Sequence, residues 1–386
     1  MADRESEIVA KIASGVSGLN ARAWDRLAGA EPFLSHAFLS ALEDSRSVGP
    51  GTGWTPAPIL VEDEAEHLVA AAPAYLKTHS QGEYVFDHGW AEAWQRAGGD
   101  YYPKLQACVP FTPAPGRRFL IGPGAGSGAS ARAALLEAGI AAVKRMRASS
   151  LHITFLTEEE WRAAGDAGYL LRTDQQFHWH NQGYRDFADF LSALSSNKRK
   201  MLRKEREAVR AAGVEFDLLT GRDITEAHWD RFFEFYMDTG GRKWGHPYLN
   251  RAFFARLGAT MADQILLVMA KRGGRYIAGA LNLFGEGILY GRNWGTVEFV
   301  PFLHFETCYY QAIEFAIARG FSKVEAGAQG AHKLLRGYMP EPTYSAHYIL
   351  HPGLRRAVDD FLIRERVAVA EHRRDLSEHG PFKKSS

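Results

Sequence analysis

The stretch Leu303–Ile349, LHFETCYYQAIEFAIARGFSKVEAGAQGAHKLLRGYMPEPTYSAHYI, decides the fold. Leu303–Arg319 carries apolar residues at helical spacing and is closed by Gly320, so it reads as one helix. Lys323–Gly327 follows as a strand, Ala331–Arg336 as a short helix and Thr343–Ile349 as a further strand. Helix, strand, helix and strand in this order close the chain as a regular α/β set.

Upstream, Ile265–Ala270 and Ile277–Phe284 read as strands joined by a hairpin turn at Gly273-Gly274, with Gly287–Asn293 as a third strand. A matching order lies nearer the amino terminus. Strand-like runs at Ala57–Glu62 and His67–Lys77 precede Tyr84–Phe86, Lys104–Val109 and Arg118–Ile121. A helix at Ser130–Ser149, with Ser130 placed to cap it, leads into a strand at Leu151–Leu156. Leu170–Thr173 and Gln176–Trp179 close this half as strands. No letter-by-letter repeat accompanies the shared order, so the inference is a duplicated α/β unit carried by pattern alone. The change of unit falls at Phe187–Ala211, where an apolar stripe gives way to a strongly basic helix ending at Gly213. The expected division is 1–190, a connecting helix at 191–213, a second domain at 214–370 and a polar tail at 371–386.

The chain has 386 residues, with 46 Lys+Arg against 45 Asp+Glu and a formal charge of +1, which excludes a broadly basic nucleic-acid coat but not a local basic patch. Cys108 and Cys308 lack the spacing of a zinc knuckle or a redox pair, so no metal is expected and a reducing compartment is favoured. MADRESEIVAKIAS has neither the basic start nor the apolar core of a leader, and no apolar run is long enough to span a bilayer. The expectation is a cytoplasmic protein. HExxH, PCxxC, GxxxxGK[ST], GxSxG and GxGxxG with a downstream acid are all missing, so nothing points to a zinc enzyme, a nucleotide hydrolase or an α/β-hydrolase.

Chemistry-bearing residues gather in the carboxyl-terminal half. On the helix Leu303–Arg319, Glu306, Tyr310, Ile313 and Ile317 share a stripe. A carboxylate there has a raised pKa when buried, which suits a general base; alternatively it ties down backbone donors or an arginine. His304 points elsewhere. Gln329, His332, Lys333 and Arg336 follow a strand end, where free N–H groups and cations make an anion site. Tyr338 comes next, and strand alternation sends Ser345 and His347 to one face. The helix Asn197–Arg210 sets Lys198, Arg199, Lys200, Arg203, Lys204, Arg206 and Arg210 against Glu205 and Glu207. Such a stripe holds phosphates of a cofactor, of RNA or of a lipid-linked precursor, or is a solvated linker helix. Gly240–His246 reads as a loop able to line a pocket.

The quoted stretch, together with SNKRKMLRKER at 196–206, GRKWGHPYLN at 241–250 and LYGRNWG at 289–295, resembles the FemAB-like branch of the GNAT N-acyltransferase superfamily, often described as acting in peptidoglycan biosynthesis or recognition. The resemblance implies two tandem GNAT-like domains, each a mixed, mostly antiparallel sheet flanked by helices, the first degenerate and the second carrying the active site. It implies transfer of an acyl or aminoacyl group from an activated donor, acyl-CoA or similar, to an amine. The alternatives are a Fem-type transferase using aminoacyl-tRNA on a peptidoglycan precursor or peptide, and a catalytically degenerate binding protein. No tightly bound cofactor is implied, the donor being a substrate. Partners would be a small-molecule or peptide amine, tRNA and, transiently, a membrane-bound precursor, but not DNA.

The matching pattern covers Arg292, Asn293, Trp294, His304, Glu306, Tyr310, Glu325, Gln329, His332, Lys333, Arg336, Gly337, Tyr338, Ser345 and His347. Of these, Glu306, His332, Tyr338 and His347 are the expected catalytic groups. Arg292, Gln329, Lys333 and Arg336, with Lys198, Lys200 and Arg203, are expected to hold the donor. Glu306, or His332 through a water, would take the amine's proton, and N–H groups near Gly327–Gly330 or Tyr338 would meet the oxyanion. Two departures stand out: the usual GAQGEHK reads GAQGAHK here, with Ala331 for the acid, and no [QR]xxGx[GA] pyrophosphate loop follows Gly287–Asn293. The central expectation is that Glu306, His332, Lys333, Arg336 and Tyr338 converge on one cleft beside a splayed strand pair.

Overall fold

Gly273 and Gly274 take φ of +56° and +75°, the paired left-handed residues that a two-residue hairpin requires. They join two long strands, and the computed structural model places those strands in one of two compact units. The structure describes residues 9–122, 128–244, 247–327 and 330–383.

In the first unit the chain runs through Val9–Ile12 (β1), Ala21–Ala28 (α1), His36–Asp44 (α2), Trp54–Pro56 (β2), Ile59–Glu62 (β3), Leu68–Ala72 (β4) and Ala74–Lys77 (β5). His88–Arg96 (α3), Lys104–Ala107 (β6), Leu120–Ile121 (β7), Gly128–Arg145 (α4), Ser150–Leu156 (β8) and Glu158–Asp166 (α5) follow, and then Leu170–His180 (β9), whose residues from Gln175 on belong to the second unit. The Ser35 hydroxyl caps α2 by accepting from the Phe38 N–H at 3.2 Å. Ser130 does not cap α4, which begins two residues earlier at Gly128. Tyr84–Phe86 forms no strand, and the two short strands expected at 170–179 are one continuous β9.

The second unit contains Phe187–Ala193 (α6), Ser196–Ala211 (α7), Val214–Leu219 (β10), Glu226–Trp244 (α8), Arg251–Met261 (α9), Ile265–Arg272 (β11), Arg275–Gly285 (β12) and Ile288–Thr296 (β13). Leu303–Phe305 (α10) passes through a wide π-type turn at Glu306–Tyr310 into Gln311–Ala318 (α11), so the single helix expected here is interrupted. Lys323–Glu325 (β14) follows; Met339–Ile349 (β15) and Pro352–Glu378 (α12) then complete the chain, their residues 342–370 belonging to the first unit.

Each unit has a mixed, mostly antiparallel sheet flanked by helices, as the resemblance implied. In the first, β2, β5 and β6 are antiparallel neighbours, β6 pairs parallel with β8, and β8 pairs antiparallel with β15. A smaller antiparallel sheet joins β1, β3, β4 and β7. In the second, β10 to β13 are antiparallel, β13 pairs parallel with β14, and β14 pairs antiparallel with β9. A parallel pair needs a crossover; α4 lies in the one between β6 and β8, and α10–α11 in the one between β13 and β14. Leu135, Leu136 and Val143 of α4 pack on Leu105, Leu151 and Ile153, and Ile313 and Ile317 of α11 on Leu289 and Val324.

The compact units are residues 1–174 with 342–370, and 175–341 with 371–386, rather than the linear division at 190, 213 and 370. The reason lies in strand pairing. The end of β9 bonds to β14, and the body of β15 bonds to β8, so each sheet is finished by a strand that the linear order assigns to the other half. The expected polar tail also has structure: residues 371–378 belong to α12, and Phe382 bridges to Leu194.

Candidate functional site

Strands β13 and β14 pair only from Ile288↔Lys323 to Tyr290↔Glu325. Beyond that point β13 runs on to Thr296 while β14 stops. Gly291 passes so close to β14 that a Cβ would lie 3.3 Å from the Glu325 carbonyl oxygen, and the strands then part. On its other edge β13 carries a bulge, since the register moves from Leu281↔Asn293 to Asn282↔Gly291 and leaves Arg292 over. The opening holds a cavity of about 90 Å³ lined by Asn282 of β12, Arg292, Asn293 and Trp294 of β13, Ala326 just past β14, His304 of α10, and Cys308 and Tyr309 of the π-type turn. That space admits roughly three waters, or the head of an acyl group, so a larger donor would have to extend outward.

The π-type turn decides which side chains face this opening. It brings Cys308 and Tyr309 to the cavity and leaves Glu306 and Tyr310 toward α7. Tyr309 is buried, with its hydroxyl 3.0 Å from His332 Nε2. His332 is exposed, and partial desolvation, helped by Arg336 and Lys333, lowers its pKa and disfavours the imidazolium form.

Glu306 does not line the cavity. Arg206 of α7 holds both its oxygens, and Gln311 Nε2 donates to Oε1 at 2.7 Å. Burial raises the Glu306 pKa against the pull of Arg206. The same guanidinium also reaches Glu314 at 2.8 and 3.0 Å. Of the two readings the sequence allowed, the contacts match the carboxylate that ties down an arginine.

Arg336, Tyr338 and Lys333 are packed rather than displayed. Arg336 is 4% exposed, pairs with Glu205 at 2.7 Å, and stacks over Phe305 with 3.4 Å from guanidinium carbon to ring centre. Tyr310 also donates to Glu205. Tyr338 is fully buried, its hydroxyl donating to the Tyr309 carbonyl at 3.4 Å. Gly337 before it takes a φ of +91°, a conformation that disfavours any side chain, and a Cβ there would strike Phe190 at 2.8 Å. Lys333 is 2% exposed and donates to the Gly327 carbonyl at 2.9 Å; burial brings its pKa down to about 8. The expected convergence of Glu306, His332, Lys333, Arg336 and Tyr338 on one cleft is not what the structure shows: none of the five lines the cavity, and His332 is joined to it only through the Tyr309 hydroxyl. Among the expected donor-binding residues, Arg292 lines the cavity, and Lys198, Lys200 and Arg203 lie on α7. Gln329 lies outside the described residues. Gly240–Trp244, expected as a loop, is the end of α8, and His246 lies outside the described residues.

His347 belongs to the first unit, where it is buried in a polar layer on one face of the β5–β6–β8–β15 sheet. Its Nδ1 is 2.7 Å from His152 Nδ1, and its Nε2 is 3.0 Å from the Ser345 hydroxyl. The layer continues through Tyr101, which donates to Asp87 at 2.7 Å, to Lys104, Glu83 and Lys77. Strand alternation put Ser345 and His347 on one face correctly; the charged residues joining them are spread from Lys77 to His152 and share no local motif.

A family model described as peptidoglycan biosynthesis/recognition matches residues 15–384. The chain belongs to the FemAB-like family. Among solved structures, FemX is similar over 92% of this chain and 100% of its own, at 12% identity and a TM-score of 0.55. The carboxyl-terminal domain of a putative lysylphosphatidylglycerol synthetase from Agrobacterium fabrum matches over 88% of this chain and 96% of its own, at 9% identity and 0.53. L-PGS from Bacillus licheniformis matches over 84% and 95%, at 10% identity and 0.50. These likenesses show a shared fold. No curated protein matches the chain.

Within the FemAB-like pattern, Arg292, Asn293, Trp294 and His304 are the residues that line the cavity. Asn282, Cys308 and Tyr309 were not singled out in the sequence. Asn282 is an interior polar residue on an apolar strand, 1% exposed and donating to the Leu266 carbonyl at 3.2 Å, and its place in LNLF was the available signal. Nothing local marks Tyr309, because the π-type turn that aims it leaves no sequence signature. Among the described residues no cluster of His, Cys, Asp and Glu could hold a metal ion, and no helix is long and apolar enough to cross a membrane.

Proposed function

We infer that the protein is a peptidoglycan-related N-acyltransferase whose acyl group enters the opening between β13 and β14. The observation that carries this reading is the Tyr309–His332 pair at a polar cavity where a strand continues without its neighbour. Beyond Tyr290 the register of β13 with β14 ends, and the space this leaves suits the head of an acyl group. The donor would be an acyl-CoA or an aminoacyl-tRNA, and the acceptor an amine on a peptidoglycan precursor or peptide.

The amine nitrogen attacks the acyl carbon, forming the C–N bond and an oxyanion. Its surplus proton passes to the Tyr309 hydroxyl as that group gives its own proton to His332 Nε2. Collapse breaks the bond to the thiol or hydroxyl leaving group, which takes a proton back along the same pair, and His332 returns to neutrality. The test is label transfer by the full chain from radiolabelled acetyl-CoA, and separately from a pool of charged tRNA, to a peptidoglycan precursor bearing a free amine. Tyr309→Phe and His332→Asn are each expected to lower the rate by roughly 10²–10⁴. No transfer from either donor, or rates indifferent to both substitutions, would overturn the reading.

A further inference from the structure

Helix α7 turns Lys200, Arg203, Lys204, Glu207 and Arg210 to solvent along one face, with Arg199 at its edge. Arg210 is paired with Glu207 at 2.9 Å. Among the described residues, Arg199, Lys200, Arg203 and Lys204 have no carboxylate partner, in a chain whose formal charge is only +1. The neighbouring acids are occupied elsewhere: Glu205 holds Arg336, and Asp189 of α6 holds Arg185. Beside this face lies a groove lined by Arg203, Lys204, Arg206, Glu207 and Arg210, with Phe187 and Leu191 buried behind them.

We propose that this face docks on an anionic phospholipid surface, with headgroup phosphates on Lys200, Arg203 and Lys204. Exposed cations without carboxylate partners, set along one helix face and backed by no open ring, match the plane of phosphates at a charged bilayer surface. A nucleic acid would use the same cations but would want open aromatic faces for its bases, whereas Phe187 is only 7% exposed and is covered by Arg206, whose guanidinium carbon lies 4.4 Å from the ring centre. From Lys200 to Arg210 the face is about 15 Å long, enough to span several headgroups. The proposal concerns where the protein sits and does not rest on the acyl-transfer reading.

The test is co-sedimentation of the full chain with phosphatidylcholine vesicles containing or lacking phosphatidylglycerol, across a salt series. Binding is expected only with phosphatidylglycerol and should weaken steeply with salt. The variant Lys200→Ala/Arg203→Ala/Lys204→Ala should bind on the order of a hundredfold more weakly at low salt. The salt slope of the unaltered chain gives a second readout that needs no variant. Equal binding to both vesicle types, an unaffected triple variant, or filter binding of total tRNA by a chain that ignores the vesicles would each overturn the proposal.

Discussion

Arg206 and Glu306 form a two-oxygen clamp: Nε lies 3.2 and 3.1 Å from the two carboxylate oxygens, and Nη2 lies 2.9 Å from Oε1. A base must keep a lone pair aimed at its substrate, and here both oxygens are held by a guanidinium while the residue is 3% exposed. The clamp fixes the wide turn that aims Tyr309. Glu306→Gln should therefore destabilise the protein by roughly 1–3 kcal/mol, because it leaves Arg206 with Glu314 alone. Chemical denaturation will read this loss. The transfer rate per folded molecule should change only a few-fold, and a drop as large as that of His332→Asn would return Glu306 to the mechanism.

Lys333 is a buried ammonium that donates to the Gly327 carbonyl. Burial lowers its pKa from 10.5 to about 8. Between those values the unfolded chain binds the proton more tightly than the folded one, so stability should rise as pH goes from 8 toward 10.5 and be penalised below 8. Lys333→Met removes the penalty and should raise stability at pH 7 by ~1–3 kcal/mol while flattening that pH dependence. Melting curves at pH 7 and 9.5 will check both effects. A residue kept at such a cost beside the opening is expected to matter to function, so the stabilised variant should lose activity.

Gly295 marks how tightly helix α8 lies on β13. A Cβ at that position would sit 2.1 Å from the Phe235 carbonyl oxygen and 2.6 Å from the Tyr236 nitrogen, both main-chain atoms that cannot swing away. Gly295→Ala should destabilise by roughly 1–3 kcal/mol or push the strand outward. Because Asn293 and Trp294 line the cavity, the loss of stability should come with weakened donor binding, which titration of the folded fraction will separate.

The sheet was legible because its signals are local. Gly273-Gly274 marks a hairpin, and Leu135, Leu136 and Val143 mark a helix on apolar strands. The exchange of β9 and β15 was not legible, since either strand fits the parallel pair of either unit by its alternation alone, and only long-range pairing chooses. For the site, the helical stripe set Glu306 beside Tyr310 correctly, yet periodicity says which residues share a face and not what that face meets. It meets Arg206 and Glu205, on a helix one hundred residues earlier. The ordered pattern around Arg292–Trp294 and His304 reached the cavity where the stripe did not.

His152 and His347 share a single short contact in the interior of the first unit, Nδ1 to Nδ1 at 2.7 Å, which leaves room for one proton between the two atoms. Burial drives both pKa values down, His152 to about 3, and Lys104 and Arg172 add to the effect while Asp87 opposes it. For the Asp87 carboxyl, burial pushes upward, but Lys104 and His152 hold it well below the usual carboxylate range. The signs agree. A histidine whose folded pKa is depressed contributes full stability above its unfolded value near 6.5 and loses it as pH falls, at about 1.4 kcal/mol per histidine and pH unit; a depressed aspartate loses its share below about 4. The melting temperature should thus fall steeply from pH 6.5 to 4, and the slope should double where both rings contribute. Replacing His347 by glutamine removes one titrating group and its partner's competition, so the variant should start less stable at pH 7 and lose less on acidification. Equal melting temperatures for the unaltered chain at pH 7 and 4.5 would mean that the pair is protonated in the folded state, and that β8 and β15 part far more easily than their hydrogen bonds imply.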